Sequence, residues 1–220
     1  MRCCSHCRDA EDFFSQKTAK RDIRRYRKRG PDRSTRLLLD LLTSHQNNFS
    51  EKSLLDIGGG VGVISWELFA RGLAKAVNVD ASRPYQEIMK QEAENREMSG
   101  RIQFFYGDFT ELTDKVDQAE VVTLDRVICC YPDAEKLIKY STEKAKEIYG
   151  VVYPRKRWMT RIGIWFINLW FRIRRSDFRV YLHPPSLIEA NIKKSGFKLL
   201  RTENTITWHI DCYARDGRSS

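Results

Sequence analysis

One stretch of the sequence decides the fold, and it reads Leu54-Leu55-Asp56-Ile57-Gly58-Gly59-Gly60-Val61-Gly62. An apolar run ends at an acidic residue, glycines follow at alternate positions, and an amphipathic run begins at Val61. Glycine permits a sharp turn and lets a bound molecule lie close to the backbone. The stretch therefore predicts a buried strand, a tight ligand-binding turn and a helix, in that order.

The sequence on either side of this turn alternates between short apolar runs and longer amphipathic runs. The apolar runs predict strands at Ser53–Ile57, Ala76–Asp80, Ile102–Tyr106, Val121–Leu124 and Ile148–Tyr153. The amphipathic runs predict helices at Val61–Arg71, Pro84–Met98 and Ala134–Lys146. Two more strand-like runs, 197–203 and 205–214, follow each other closely and predict an antiparallel C-terminal hairpin. The alternation predicts an α/β fold with a mostly parallel sheet and helices on both faces.

The glycine spacing narrows the class of ligand. A dinucleotide fingerprint needs its third glycine where this chain has Val63, so a nicotinamide oxidoreductase is disfavoured. The carboxylate of Asp56 would repel a pyrophosphate, but it suits a cationic amino-acid ligand. Asp80 ends the next predicted strand, twenty-four residues after Asp56. An acid at this position can accept hydrogen bonds from both hydroxyls of a ribose.

These residues resemble the class I S-adenosylmethionine-dependent methyltransferases, whose first motif is D/E-x-G-x-G-x-G. Later motifs of that family resemble the runs Phe104–Phe109 and Val121–Val127, so the resemblance extends over about residues 50–153. It implies a Rossmann-like sheet of seven strands, with one antiparallel strand in the C-terminal hairpin. It also implies S-adenosylmethionine as cofactor, and methyl transfer by in-line displacement to a small-molecule acceptor. An oxygen atom of an apolar or acidic substrate is one candidate target.

The resemblance also implies which residues bind the cofactor. Asp80 is expected at the ribose, Asp108 and Phe109 around the adenine, and Asp125 beside the methyl group. The full predicted set is Asp56, Gly58, Gly60, Gly62, Asp80, Ala81, Asp108, Phe109 and Asp125. No metal is assigned to this site.

The C-terminal segment resembles that of the magnesium-protoporphyrin O-methyltransferases. The resemblance rests on Phe178-Arg179-Val180-Tyr181-Leu182-His183 and on the run from Gly196. These relatives carry a histidine before the Tyr-Pro pair, where this chain has Cys130 before Tyr131, so no tetrapyrrole substrate is assigned. We consider His183, Tyr131 and Arg179 as catalytic candidates. The alternatives are a helix cap for His183, a loop aromatic for Tyr131 and a surface cation for Arg179.

Charge is distributed unevenly along the 220 residues. Residues 1–50 carry a net +6, residues 51–150 a net −5 and residues 151–220 a net +9. We expect residues 1–50 to form a basic helical extension that covers the substrate, and residues 51–220 to form the methyltransferase domain. The basic flanks also suit a different class of protein, a non-catalytic module that binds RNA or an anionic membrane. Nucleic acid is the less favoured partner.

An apolar segment at 162–171 has arginines on both sides. Its ten residues are about half of what a membrane-spanning helix requires. The favoured interpretation is a lid, with 154–185 as a helical insertion over the substrate. The alternatives are a buried helix and an interfacial anchor that gives peripheral membrane contact through 158–175.

Cysteine usage indicates a reduced environment. Six cysteines are too few for a disulfide scaffold, and the N-terminal sequence has no secretory hydrophobic segment, which predicts a cytoplasmic protein. Cys3, Cys4 and Cys7 lie close together and could bind zinc or an iron–sulfur cluster, or could be exposed thiols at a frayed terminus.

Overall fold

The computed structural model describes residues 14–46 and 48–217. Two helices, α1 (Gln16–Arg29) and α2 (Arg33–His45), precede the first strand. Gly30 ends α1 in the left-handed region, and Asp32 begins α2 by accepting a hydrogen bond from the Thr35 amide at 3.1 Å. Cys3, Cys4 and Cys7 lie outside the described residues.

The central part of the chain alternates strands and helices as the sequence predicts. Its elements are β1 (Ser53–Ile57), α3 (Val63–Phe69), β2 (Lys75–Asp80), α4 (Arg83–Asn95), β3 (Ile102–Tyr106), α5 (Phe109–Leu112), β4 (Ala119–Asp125), α6 (Ala134–Lys144) and β5 (Ala145–Pro154). The C-terminal part consists of α7 (Trp158–Ile173), α8 (Pro185–Lys194), β6 (Phe197–Asn204) and β7 (Trp208–Arg215). Helix α3 begins two residues later than predicted because Gly62, its N-cap, is left-handed.

The described residues form one seven-stranded sheet in the order β3-β2-β1-β4-β5-β7-β6. Strands β1 to β5 pair in parallel, whereas β7 pairs antiparallel with both β5 and β6. Strand β7 is therefore the single reversed strand, which confirms the predicted fold. The reversal in strand order between β1 and β4 creates a crevice at the carboxyl ends of the strands, where open α/β sheets bind ligands.

Both faces of the sheet are covered by helices. Helices α1 to α4 pack on one face, where Leu42 and Trp66 are buried. Helices α5, α6 and α8 pack on the other face, where Ile138 and Ile192 are buried. Because both faces are covered, strand residues of either orientation are apolar, as in the fully buried β1.

Helix α7 differs from the others because most of its apolar side chains are exposed. It has 16 residues, and in the described part of the chain no helix has the length and apolar character needed to cross a bilayer.

Candidate active site

The glycine turn after β1 is held against β2. Gly58, Gly60 and Gly62 all have positive φ, between +58° and +80°, a region that other residues adopt only with strain. A side chain is also excluded at Gly59, because a Cβ atom there would lie 2.6 Å from Oδ2 of Asp56. The amide of Gly58 donates to the Val79 carbonyl oxygen at 2.7 Å, so the turn is pinned to the neighbouring strand.

Asp80 lies directly beside this turn, as the sequence predicts. Its Oδ2 atom accepts a hydrogen bond from the Gly60 amide at 2.9 Å, and its Oδ1 atom accepts one from the Ser82 amide at 2.7 Å. Burial raises the pKa of Asp80 to about 6, although both amide hydrogen bonds act in the opposite direction. The residue remains half-buried, so part of it is accessible at the turn.

Asp56 is buried below the turn with 1% of its surface exposed. The Thr123 hydroxyl donates to its Oδ1 atom at 2.7 Å, and among the described residues its Oδ2 atom has no hydrogen-bond partner. Burial raises its pKa to about 7; the Thr123 bond opposes this shift, and the charges of Asp125 and Asp80 add to it. A cation bound at the turn would favour the ionised form of this carboxyl group.

Asp108 and Tyr131 are joined by a hydrogen bond. The Tyr131 hydroxyl donates to Oδ2 of Asp108 at 2.9 Å, and the Asp108 carboxylate also caps α5 through the Thr110 amide at 2.8 Å. The sequence assigned these two residues to different parts of the site, one at the adenine and one at the acceptor. The Phe109 side chain is buried in the apolar core with 4% exposure.

Asp125, at the end of β4, belongs to an ionic network that the sequence did not predict. The Arg126 guanidinium contacts Oδ1 of Asp125 at 3.0 Å and Oδ2 of Asp32 at 2.7 Å. The Thr35 hydroxyl donates to Oδ2 of Asp125 at 2.5 Å. Although burial opposes it, the charges of Asp125 and Asp32 raise the pKa of Arg126. The end of β4 is therefore tied to the beginning of α2.

His183 reaches the site from the segment between α7 and α8. Its Nε2 atom lies 2.9 Å from the carbonyl oxygen of Tyr131, and Tyr181 donates its amide to the Cys129 carbonyl at 2.6 Å. Because a carbonyl oxygen only accepts, Nε2 carries the proton and the neutral ring keeps its lone pair on Nδ1. His183 therefore does not act through a helix cap in this structure; it binds the loop that follows β4.

The Nη1 atom of Arg179 is bound within its own loop and does not face a site for the methyl acceptor. This atom donates to the carbonyl oxygens of Ser176 at 2.5 Å and Phe178 at 2.7 Å, within its own loop. Arg179 stabilises the conformation of the segment that carries His183.

Aromatic residues from three parts of the chain meet near the glycine turn. The Phe14 ring packs edge-on against Tyr85 of α4 at 5.7 Å and against Phe178 at 6.0 Å, measured between ring centroids. Phe178 in turn packs against Phe171 of α7 at 5.2 Å. The N-terminal extension and the 154–185 segment are thus in direct contact through these aromatic side chains.

The geometry suits S-adenosylmethionine. Backbone at Gly58–Gly60 is partly accessible, the acids Asp56 and Asp80 flank it, and an unpartnered buried carboxylate oxygen lies beneath. Even a small side chain does not fit at the turn. The backbone there is therefore open to the amino-acid part of a ligand.

The comparisons with known proteins agree with this assignment. Residues 54–146 match the family described as methyltransferase domain. The matched segment contains the glycine turn and the acids Asp56, Asp80, Asp108 and Asp125, so this part of the chain is similar to a methyltransferase domain. The comparisons give no support to the non-catalytic alternative.

Two solved structures are similar to this chain in fold. Magnesium protoporphyrin IX methyltransferase from Synechocystis PCC 6803, with bound S-adenosylhomocysteine, has a TM-score of 0.71 at 19% identity, over 94% of this chain and 98% of that one. An O-methyltransferase family protein from Burkholderia thailandensis has a TM-score of 0.66 at 15% identity, over 94% of this chain and 64% of that one. No curated protein matches the chain in sequence.

Proposed function

We propose that this protein is a class I S-adenosylmethionine-dependent methyltransferase, which transfers the methyl group to an oxygen atom of a largely apolar small molecule that carries a carboxylate or a hydroxyl group. The observation that carries this proposal is the hydrogen bond between His183 and the carbonyl oxygen of Tyr131. This bond holds a histidine of defined tautomer against the loop after β4. Cys130 of that loop packs with Phe14, Phe171 and Phe178, which we define as the aromatic cover.

The cofactor would be held by the residues around the glycine turn. The Asp80 carboxylate would accept hydrogen bonds from the two ribose hydroxyls. The backbone of Gly58, Gly60 and Gly62 would bind the amino-acid part of the cofactor, above the charge of Asp56. Asp108 would accept a hydrogen bond from the adenine amino group. The Phe109 backbone would lie beside this group, and Ala81 would pack on the base. Asp125 would lie nearest the methyl group. Backbone amides hold the carboxylates of Asp80 and Asp108, which supports the assignment because it fixes their orientation before the ligand binds.

When bound, the cofactor supplies a methyl group activated by a positively charged sulfur. Transfer of this methyl group to the acceptor oxygen would leave the sulfur as a neutral thioether. A carboxylate acceptor has no proton to lose, whereas a hydroxyl acceptor would give its proton to Nδ1 of His183. Tyr131 would position Asp108 through its hydroxyl and His183 through its carbonyl. Arg179 would hold the 176–183 loop and add a positive charge that attracts an acidic acceptor.

The aromatic cover supports an apolar acceptor. Phe171 and Phe178 are 2% and 1% exposed, and they pack with Phe14, Cys130 and Val180 beside the loop that carries Tyr131. Such a surface excludes water, which strengthens the electrostatic interactions inside the site and protects the displacement from hydrolysis. The proteins of similar fold include a methyltransferase named for a tetrapyrrole and one described as an O-methyltransferase, and both descriptions suit oxygen as the target.

The test is methyl transfer from cofactor labelled in the methyl group to a panel of apolar carboxylic acids, phenols and a porphyrin carboxylate. We expect label in an organic-soluble product, and mild alkali to release it as methanol when the product is an ester. Label that resists alkali and resides on nitrogen or carbon would contradict oxygen transfer. The His183→Ala variant should lose activity on hydroxyl acceptors and keep it on carboxylates, and Lys198→Ala, an exposed residue outside the site, is the control.

A further inference from the structure

Helix α7 contacts the rest of the protein along one narrow side. Its residues that are not fully exposed, Thr160, Ile164, Asn168 and Phe171, recur every three or four positions and so share one face. The Asn168 amide fixes this face by donating to the Val180 carbonyl oxygen and accepting from the Val180 amide, both at 2.8 Å. The orientation of α7 about its own axis is therefore defined.

The opposite side of α7 is an exposed apolar ridge. We define this apolar ridge as Trp158, Met159, Ile162, Trp165, Phe166, Leu169, Trp170 and Ile173. Each of these side chains is between 38% and 72% exposed, and positions 158, 162, 166, 169 and 173 follow the spacing of one helix face. A contiguous apolar surface of this kind is unusual on a protein that is surrounded only by water.

Positive charge surrounds the apolar ridge and negative charge is absent from it. Residues 155–175 include seven Lys and Arg residues and no Asp or Glu. Among the described residues no carboxylate pairs with Arg157, Arg161, Arg172, Arg174 or Arg175. These cations are available to a partner that is itself anionic.

The charge pattern selects one occupant for the apolar ridge. A second copy of the chain, related by a two-fold axis, would bring seven positive charges against seven others. A nucleic acid would satisfy the arginines, but its phosphates and bases would leave Ile162, Leu169 and Ile173 without an apolar environment. An anionic bilayer satisfies both requirements, because acyl chains meet the apolar side chains, aromatic rings suit the interface and headgroup phosphates meet the arginines.

We propose that α7 lies in the interface of an anionic phospholipid membrane, with the apolar ridge inserted at the boundary between headgroups and acyl chains. The helix does not cross the bilayer, since 16 residues are too few. The arginines at both ends of α7 bind the headgroup phosphates. Asn168 and Phe171 keep the bound helix attached to the 178–183 segment that carries His183.

Membrane docking would place the aromatic cover of the site at the lipid surface. An apolar acceptor dissolved in the bilayer could then reach the site without crossing water. Only this consequence rests on the proposed function, because binding to a lipid surface requires neither cofactor nor acceptor. A protein that binds vesicles but methylates no oxygen would contradict the proposed function alone.

The experiment is flotation of the full chain with vesicles of phosphatidylcholine mixed with phosphatidylglycerol, compared with vesicles of phosphatidylcholine alone. We expect flotation with the anionic vesicles, at least about tenfold weaker partitioning into the neutral ones, and weaker binding as salt is raised. Tryptophan emission should shift to shorter wavelength on binding, because Trp158, Trp165 and Trp170 enter an apolar environment. An unchanged emission with no flotation of folded protein would overturn the proposal.

Two variants with matched controls test the two parts of the surface. The triple change Ile162→Gln, Phe166→Gln and Ile173→Gln keeps every tryptophan and should reduce flotation at least about tenfold. Its control, Leu200→Gln with Ile206→Gln, alters exposed apolar residues outside α7 and should leave flotation unchanged. Circular dichroism verifies that both variants are folded.

The charge variant is Arg172→Gln with Arg175→Gln, and Lys198→Gln with Arg201→Gln is its control with the same loss of charge. The first should weaken binding to anionic vesicles about tenfold or more, and the second should leave it within about twofold. Flotation that persists in the triple variant would overturn the proposal. So would self-association that the triple variant abolishes in the absence of lipid, which would assign the apolar ridge to a second copy.

Discussion

The Nη1 atom of Arg126 lies 2.7 Å from Oδ2 of Asp32, an ion pair that joins the residue after β4 to the N-cap of α2. Arg126 itself has a φ of +62°, a conformation that residues other than glycine rarely adopt. The pair is thus maintained at some cost in backbone strain. It connects the N-terminal extension with the strand end that is proposed to lie nearest the reacting methyl group.

Arg126→Ala should destabilise the protein by about 1–3 kcal/mol. The change removes the partly buried guanidinium that pairs with the carboxylates of both Asp32 and Asp125. Urea unfolding followed by circular dichroism measures the effect. Arg25→Ala is the matched control, because Arg25 contacts the same Asp32 oxygen at 3.5 Å from an exposed position and should change stability by less than about 1 kcal/mol. Equal effects of the two changes would contradict the role given to Arg126.

The ion pair between Asp32 and Arg126 also predicts how the stability of the protein depends on pH. Burial would raise the pKa of Asp32, but the charge of Arg126 and hydrogen bonds from Thr35 and Ser34 lower it from 3.8 to about 2. A pKa that is lower in the folded state gives stability that is fully present above 3.8 and is lost as pH falls toward about 2. The difference in unfolding free energy between the native chain and Arg126→Ala should therefore shrink across this interval. A constant difference would show that Asp32 is not the partner that matters.

Asp80→Ala should weaken binding of S-adenosylhomocysteine at least about tenfold, which corresponds to about 1.4 kcal/mol. The variant removes the acceptor proposed for the ribose hydroxyls and also the acceptor for the Gly60 amide. Isothermal titration calorimetry measures the affinity, and thermal unfolding verifies that the variant is folded. Asp114→Ala, at an exposed aspartate outside the turn, serves as the control. Unchanged affinity in folded Asp80→Ala would remove this residue from the cofactor site.

Cofactor binding should strengthen as pH rises from about 5 to about 8. Burial raises the pKa of Asp80 to about 6 and that of Asp56 to about 7, so both carboxyl groups are protonated in the lower part of this range. Ribose hydroxyl donors and a cationic ligand favour the ionised forms, so binding should release protons and be favoured at higher pH. Calorimetry in buffers of different ionisation enthalpy measures the protons released.

Neutral amides at these positions provide the control for that pH dependence. Asp56→Asn and Asp80→Asn each remove one titrating group, so each should flatten the rise in affinity with pH. Affinity that falls with pH, or a rise that persists when both acids are replaced, would contradict the assignment. Glu203→Gln changes a half-buried acid on β6, paired with Arg201 and outside the turn, and should leave the profile unchanged.

Local sequence pattern was sufficient to predict the parallel part of the sheet and its glycine turn. Strands buried on both faces read as apolar runs, and the glycines at 58, 60 and 62 lie where the turn requires positive φ. The single reversed strand came from the family resemblance and the two closely spaced C-terminal runs, and the structure confirms it. The observed helix boundaries differ from the predicted ones by a few residues, because caps such as Gly62, rather than apolar periodicity, determine where a helix begins.

The sequence by itself also determined that acids lie at or next to the carboxyl ends of β1, β2 and β4, at one edge of the sheet, because parallel strands align their carboxyl ends. Tertiary structure alone decided which side chains meet there: Tyr131 binds Asp108, His183 binds the loop after β4, and Arg126 binds Asp32 from another part of the chain. It also decided that the apolar side of α7 faces outward. Spacing along a chain fixes which residues share a face, whereas the packing of one element against another fixes what that face contacts.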